Sequence, residues 1–252
     1  MKNIVFIFLI VSVLFGCQST EEDNSVENEN ILFIGNSYTY RNKGVDQHLN
    51  DLLASSKTSK IKKFVTRAAK GRFHLYSHWK DLDTQLKFKS KKWQKVVLQE
   101  YSSGPVKEPG NFVIYGKKWA DKIREHNPKT KLFLYATWGY RLRDKMTDSL
   151  YNQYEKLGSE IDATVVPVGL MWKELAPTIN LYDGDGAHPN RKGTFINACL
   201  FYEYIENKDV RKTKHSDSRL PIKTQILLKK YAHDFKVKYE KENELQKLSS
   251  EH

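Results

Sequence analysis

Cysteine is nearly absent from this chain of 252 residues: only Cys17 and Cys199 occur. A disulfide framework is therefore excluded as the source of stability, and a domain of this length must rely on a packed core. Long apolar runs are also lacking. The one candidate, Ile4 to Phe15, holds 12 residues, against the roughly 20 needed to cross a bilayer, which makes a permanent transmembrane helix the poorer reading. No segment recurs with a period of roughly 20–50 residues, which sets aside solenoids and propellers.

What the N-terminus does hold is Met1-Lys2, the apolar run, and then "LFGC". A positive charge followed by a short apolar stretch reads as a secretory signal peptide over residues 1–16. Leu14-Phe15-Gly16-Cys17 resembles a bacterial lipobox, which implies that the Cys17 thiol takes a diacylglycerol and becomes the first residue of the mature chain. Residues 17–30 are polar and acidic, carry no aromatic residue, and are expected to form a flexible tether. The expected location is the bacterial cell envelope, with membrane attachment by the lipid anchor alone. Acidic residues just after Cys17 resemble the export signals of Bacteroidetes-type surface lipoproteins, which implies the outer-membrane surface. Cys199, inside "INACLFYEY", is expected on an apolar helical face.

The formal net charge is +12, but tether and body differ. From Ile31 onward the chain holds 41 of the 42 basic residues and 25 of the 30 acidic ones, a net +16. Such an excess favours polyanions, anionic glycans or a negatively charged envelope surface. Much of it lies in "KDVRKTKHSDSR" and "KKYAHDFKVKYEKENELQK", which read as solvated helix faces. Nucleic acid is not expected as a partner of an exported lipoprotein.

Along residues 31–252, short β-branched runs alternate with segments of helical period: "ILFIGN", "IKKFVTRAA", "KVVLQE", "KLFLYATW" and "ATVVPVG" are each followed by an amphipathic stretch. Five strand-then-helix units predict a single α/β domain, a three-layer sandwich with about five parallel strands. A flavodoxin-like arrangement fits the unit count. A helix from about Thr194 to Glu206 and an amphipathic helix from about Ile222 close the chain.

In open parallel sheets the ligand crevice lies beyond the carboxyl ends of the strands. Ser37 in "ILFIGNSYTY" sits at such an end, where Gly35 permits a tight backbone. Near the other terminus, "YDGDGAHPNRKG" places Asp185 and His188 three residues apart in a glycine-punctuated loop. A serine becomes a nucleophile when a base takes its proton, and an imidazole serves as that base when a carboxylate fixes its tautomer and stabilises its cation.

Gly35-Asn36-Ser37 after the first strand, Gly71 after the second, a polar side chain after the third, and Asp185-x-x-His188 together resemble the SGNH, or GDSL-like, hydrolases over roughly Ile31 to Tyr204. The resemblance implies Ser37 as nucleophile, His188 as general base and Asp185 as its orienting partner. It implies an oxyanion hole built from the backbone N–H groups of Ser37 and Gly71 and a third-block side chain. The family usually offers asparagine there, and this chain reads "VVLQEYSS". Gln99 is the nearest amide and is expected to be the donor, ahead of Glu100, which has no proton to give when ionised.

"YATWGYR" ends the fourth strand at the crevice, so Trp138 and Tyr140 are candidates to stack on a sugar and Arg141 to pair with an anion, with ordinary packing as the alternative reading of the tryptophan. Trp172 reads equally as core or pocket wall, and Trp79, Trp93 and Trp119 as helix packing. His74 and His78 stand at i, i+4, but no third ligand follows at metal-site spacing. No metal and no cofactor is expected. The expected function is a serine esterase acting on O-acyl, chiefly O-acetyl, esters of carbohydrate. The alternatives are a non-catalytic glycan-binding lipoprotein on the same fold, or a lipid esterase or thioesterase.

Overall fold

The computed structural model describes residues 28–56, 61–214 and 217–250. The expected signal peptide, Cys17 and residues 17–27 of the expected tether lie outside the described residues. The described residues hold five strands, β1 (Glu29–Gly35), β2 (Lys63–Ala69), β3 (Lys95–Leu98), β4 (Lys131–Tyr135) and β5 (Thr164–Val166). All pair in parallel in the order β2-β1-β3-β4-β5, the flavodoxin-like order. The helices are α1 (Ser37–Tyr40), α2 (Val45–Ser55), α3 (Leu75–Lys80), α4 (Leu82–Lys89), α5 (Gly104–Lys107) and α6 (Pro109–His126). They continue with α7 (Asp144–Glu160), α8 (Val168–Leu175), α9 (Arg191–Glu206) and α10 (Ile222–Ser250).

The period-2 alternation of side chains explains why the central strands are largely apolar: β1, β3 and β4 are covered on both faces. Ile31 and Phe33, Val97, and Phe133 and Tyr135 share one core with α2, α8, α9 and α10. Leu32 and Ile34, Val96 and Leu98, and Leu132 and Leu134 share the other with α3, α4, α6 and α7. Trp93 and Trp119 are buried in that second core and Trp79 packs against it, as helix packing predicts. Trp172 resolves to core: it is buried, and its indole N–H donates to Asn197 Oδ1 at 2.7 Å. Cys199 is buried in α9, where loss of solvent pushes its thiol well above the ordinary range.

Three boundaries differ from expectation. The first strand starts at Glu29, inside the expected tether, because Glu29 and Asn30 pair with Lys63 and Phe64. Lys63 Nζ lies 2.9 Å from Glu29 Oε2 and 2.6 Å from Glu206 Oε1, and Lys95 also pairs with Glu29, so the charged start of β1 is tied down. The amphipathic stretch after the second strand run, "FHLYSHWKDLDTQLKF", is not one helix but is broken at Asp81, whose extended backbone separates α3 from α4. Asp81 Oδ2 accepts the Thr84 N–H at 2.9 Å and Oδ1 pairs with Lys70 at 2.6 Å, so the carboxylate caps a new helix instead of continuing the old one. The helix expected from about Thr194 begins at Arg191, where Asn190 caps it by accepting the Gly193 N–H at 3.1 Å.

His78 ties the helical layer to the end of β1. Its Nε2–H donates to the Gly35 carbonyl at 2.7 Å, and Nδ1 lies 2.9 Å from the Thr84 hydroxyl. Burial pushes its pKa down from 6.5 to about 4. Between those values the unfolded chain binds the proton that the folded chain refuses, so stability rises with pH across that window. The contribution is complete above about pH 6.5 and lost as pH falls to about 4, roughly 3 kcal/mol in all. Urea unfolding at intervals from pH 4 to 7 should show this slope, and His78→Asn should flatten it. Equal slopes in the two proteins would refute the assignment.

Candidate active site

Gly35, the last residue of β1, has no room for a side chain: a Cβ there would lie 2.6 Å from both Gln99 Oε1 and Thr39 Oγ1. The next residue, Asn36, is buried and fully engaged. Its backbone N–H donates to Gln99 Oε1 at 2.8 Å, its Nδ2 donates to the Phe73 carbonyl at 3.1 Å, and its Oδ1 caps α1 by accepting the Tyr38 N–H at 3.1 Å. Ser37 is thereby fixed as the first residue of a one-turn helix beyond the strand end. The first N–H groups of a helix have no intrahelical acceptor. Asn36 satisfies that of Tyr38, which leaves that of Ser37 for a ligand.

The far end of the chain supplies the base. Ser37 Oγ lies 2.9 Å from His188 Nε2, and His188 Nδ1 lies 2.5 Å from Asp185 Oδ2. Asp185 Oδ1 meanwhile accepts the N–H groups of Ala187 and His188, each at 2.9 Å, so one carboxylate folds the loop and orients the ring. Gly186, with φ +67°, makes the turn between them in a conformation that L side chains rarely adopt. Partial burial raises the Asp185 pKa, but the imidazole and the two backbone donors outweigh it and hold the carboxyl well below the usual carboxylate range. Asp185 is therefore ionised wherever the protein is folded at moderate pH. The imidazole is backed by Tyr38, which meets it edge-on at 5.6 Å.

A cavity of about 220 Å³ opens at Ser37, lined among others by Arg72, Tyr101, Ser102, Tyr140 and Ala187. Ser102 Oγ and Tyr140 Oη lie 3.0 Å apart across it. Tyr38 also lines it, with its buried hydroxyl beside the Ser102 side chain. Burial pushes that phenol far above its ordinary pKa, so the group remains a donor.

The structure brings Ser37, His188 and Asp185 together as expected, but it engages the Gln99 amide, expected as the oxyanion donor, with other groups. Its Nε2 donates to Asn36 Oδ1 at 3.0 Å and to the Glu100 carbonyl, and its Oε1 accepts from Asn36 N–H and the Thr39 hydroxyl. With no exposure and four partners, Gln99 braces the turn that presents Ser37. Glu100 is also occupied: it accepts from Leu75 N–H and Tyr101 N–H and pairs with His74 at 2.8 Å. The two histidines at i, i+4 thus turn to separate partners.

Trp138 also departs from expectation. It has no exposed surface, lies stacked between Tyr38 at 4.5 Å and Trp172 at 3.7 Å, and donates to the Ala187 carbonyl at 2.9 Å. It supports the catalytic loop from behind and presents no face to a sugar. Arg141 is exposed but is spent on the same loop: its backbone N–H donates to Gly186, and its guanidinium to Asn180 Oδ1, Tyr182 O and Asp183 O. Tyr140 does line the cavity. Gly71 lies in the turn after β2, next to Arg72, which reaches the cavity with φ +62°. Arg72, Tyr101 and Ser102 went unassigned in the sequence. Only Tyr38 carried a signal, being adjacent to the nucleophile on a single turn of helix.

No protein-family model and no curated protein matches this chain, but solved structures do. A proposed SGNH hydrolase from Slackia heliotrinireducens superposes with a TM-score of 0.61 at 22% identity, over 71% of this chain and 100% of that one. A DUF4886 family protein from Bacteroides uniformis gives 0.66 at 16% identity, over 82% and 94%. A catalytic mutant of an acetylxylan esterase from Geobacillus stearothermophilus gives 0.55 at 17% identity, over 71% and 94%. Strand order, the serine beyond β1 and these superpositions agree: the chain has the fold of the SGNH hydrolases.

Proposed function

We propose that this protein is a serine ester hydrolase that removes short O-acyl groups, chiefly acetyl, from carbohydrate. The observation that carries the reading is the Ser37–His188–Asp185 hydrogen-bonded series, with distances of 2.9 and 2.5 Å, at the mouth of a cavity. Ser37 Oγ attacks the ester carbonyl while His188 Nε2 takes its proton. The tetrahedral oxyanion is held by the Ser37 N–H at the start of α1, in a cavity that Arg72 also lines, and the Gly71 N–H is the second donor that the resemblance implies. Collapse breaks the bond to the alkoxy oxygen, which leaves with the proton returned by His188. Water, deprotonated by the same imidazole, then attacks the acyl-serine and releases the carboxylic acid and Ser37. Asp185 stays ionised and stabilises the imidazolium in both halves.

The small volume at Ser37, about 220 Å³, favours a short acyl group. Carbohydrate as the alcohol is supported by the acetylxylan esterase among the structural neighbours. The test is a panel of p-nitrophenyl esters from acetate to palmitate together with acetylated xylan and other acetylated glycans, run on wild type and Ser37→Ala. We expect kcat/KM to be greatest for acetate and acetylated glycans, with acetate released. A wild type that binds glycans without releasing acid would favour the non-catalytic reading, and a preference for long chains the lipid esterase. We also propose that the chain is exported and anchored through diacylglycerol on Cys17. Mass spectrometry of the mature protein checks this, and a product retaining residues before an unmodified Cys17 refutes it.

A further inference from the structure

Tyr140 lines both the catalytic cavity and a second, larger one of about 620 Å³ between α5 and the start of α7. Its apolar surface comes from Tyr140, Val106 and Met146, and three cations stand around it: Lys107, Arg143 and Lys145. None of the three forms an ion pair with a described residue, and among the described residues no carboxylate lines the cavity. An apolar pocket edged by three cations, with no carboxylate among its described lining residues, suits a group that joins a negative charge to an apolar face.

The direction in which an ester must lie decides which half of it reaches this pocket. His188 returns its proton to the departing alkoxide, so the alcohol half lies on the imidazole's side of the scissile bond. The loop carrying His188 is seated on the segment that carries Tyr140, through Trp138 Nε1 to Ala187 O and Arg141 N–H to Gly186 O, both 2.9 Å. The loop that carries the imidazole and the segment that borders the second cavity are therefore packed together.

We propose that the second cavity receives the alcohol half of the substrate and selects an alcohol bearing a carboxylate beside an apolar ring face, as in a uronic acid. The inference rests on the ester hydrolase reading and narrows its substrate. Tyr140, Val106 and Met146 meet the ring face; Lys107, Arg143 and Lys145 meet the charge.

The probes are 4-acetoxybenzoate and its neutral methyl ester, each enzymatic rate divided by that ester's own hydroxide rate to remove leaving-group effects. We expect wild type to prefer the anion by about 10-fold in kcat/KM at low salt, and less in 0.5 M NaCl, because exposed charges are screened. Lys107→Gln/Arg143→Gln should bring the ratio toward one, and Lys107→Glu/Arg143→Glu should invert it. A wild-type ratio near one, or a ratio indifferent to these substitutions, would overturn the proposal while leaving the hydrolase reading intact. So would a preference for p-nitrophenyl octanoate over acetate, which would assign the cavity to acyl chains. Calorimetric titration of Ser37→Ala with the same two esters reads the pocket without turnover. Salt-sensitive binding of the anion alone, in a protein whose wild type hydrolyses neither ester, would retain the anion pocket and sink the hydrolase reading.

Discussion

Ser37→Ala should lower kcat/KM on the best ester by about 10⁴- to 10⁶-fold, His188→Ala by a similar factor, and the double variant by no more than either alone. The reason is geometric. Ser37 Oγ and His188 Nε2 are 2.9 Å apart, and each is chemically idle without the other: the hydroxyl has no base, or the base has no nucleophile to activate. What survives in all three variants is whatever the cavity and the Ser37 N–H achieve for attack by water, so the losses cannot multiply. Steady-state kinetics at matched pH on the three proteins decides it. Losses that multiply would mean that one of the two residues acts in a separate step, and the assignment of roles would have to be redrawn.

Gln99→Ala should damage folding and turnover together. The side chain has no exposure and serves Asn36 N–H, Asn36 Oδ1, the Thr39 hydroxyl and the Glu100 carbonyl. Truncation leaves those groups unpaired in the interior and opens a void beside Gly35. A buried polar group without a partner costs about 1–3 kcal/mol, and some relaxation or a trapped water will recover part of the sum. A net loss of about 3–5 kcal/mol is expected. Because the braced turn is the one that presents Ser37, kcat should fall at temperatures where the variant is still folded. Chemical denaturation and kinetics on the same preparation separate this from direct participation: a donor to the oxyanion would lower kcat and leave stability at the wild-type level. That second pattern would return Gln99 to the oxyanion hole.

The reading of Gln99 shows where sequence stops being informative. Its position at the end of β3 is legible, because "KVVL" is an apolar run between helical stretches and the strand must end where polarity begins. Its rotamer is not, since the same strand end allows the amide to face the crevice or to reach sideways to the neighbouring β1 turn. The neighbour is known only once the order β2-β1-β3 is known. Trp138 stayed ambiguous between sugar contact and packing for the same reason: the end of β4 is an exposed place in general, yet here the Asp185–His188 loop lies across it. Arg72 was invisible for another reason, as its φ of +62° places an arginine where local preference favours glycine. The triad itself was legible because catalysis needs those side-chain types whatever surrounds them, and the strand pattern put Ser37 on the side where a parallel sheet has its crevice.

The network at Glu29 has a consequence for how the molecule stands. All strands of the sheet run the same way, so Glu29 and its partners Lys63 and Lys95 mark the edge where every strand begins, and Ser37 lies past the edge where they end. At about 3.3 Å per residue, β1 separates the two by about 20 Å. The chain therefore enters the sheet at the edge opposite the crevice, so whatever precedes Glu29 joins the domain a full sheet's depth from Ser37.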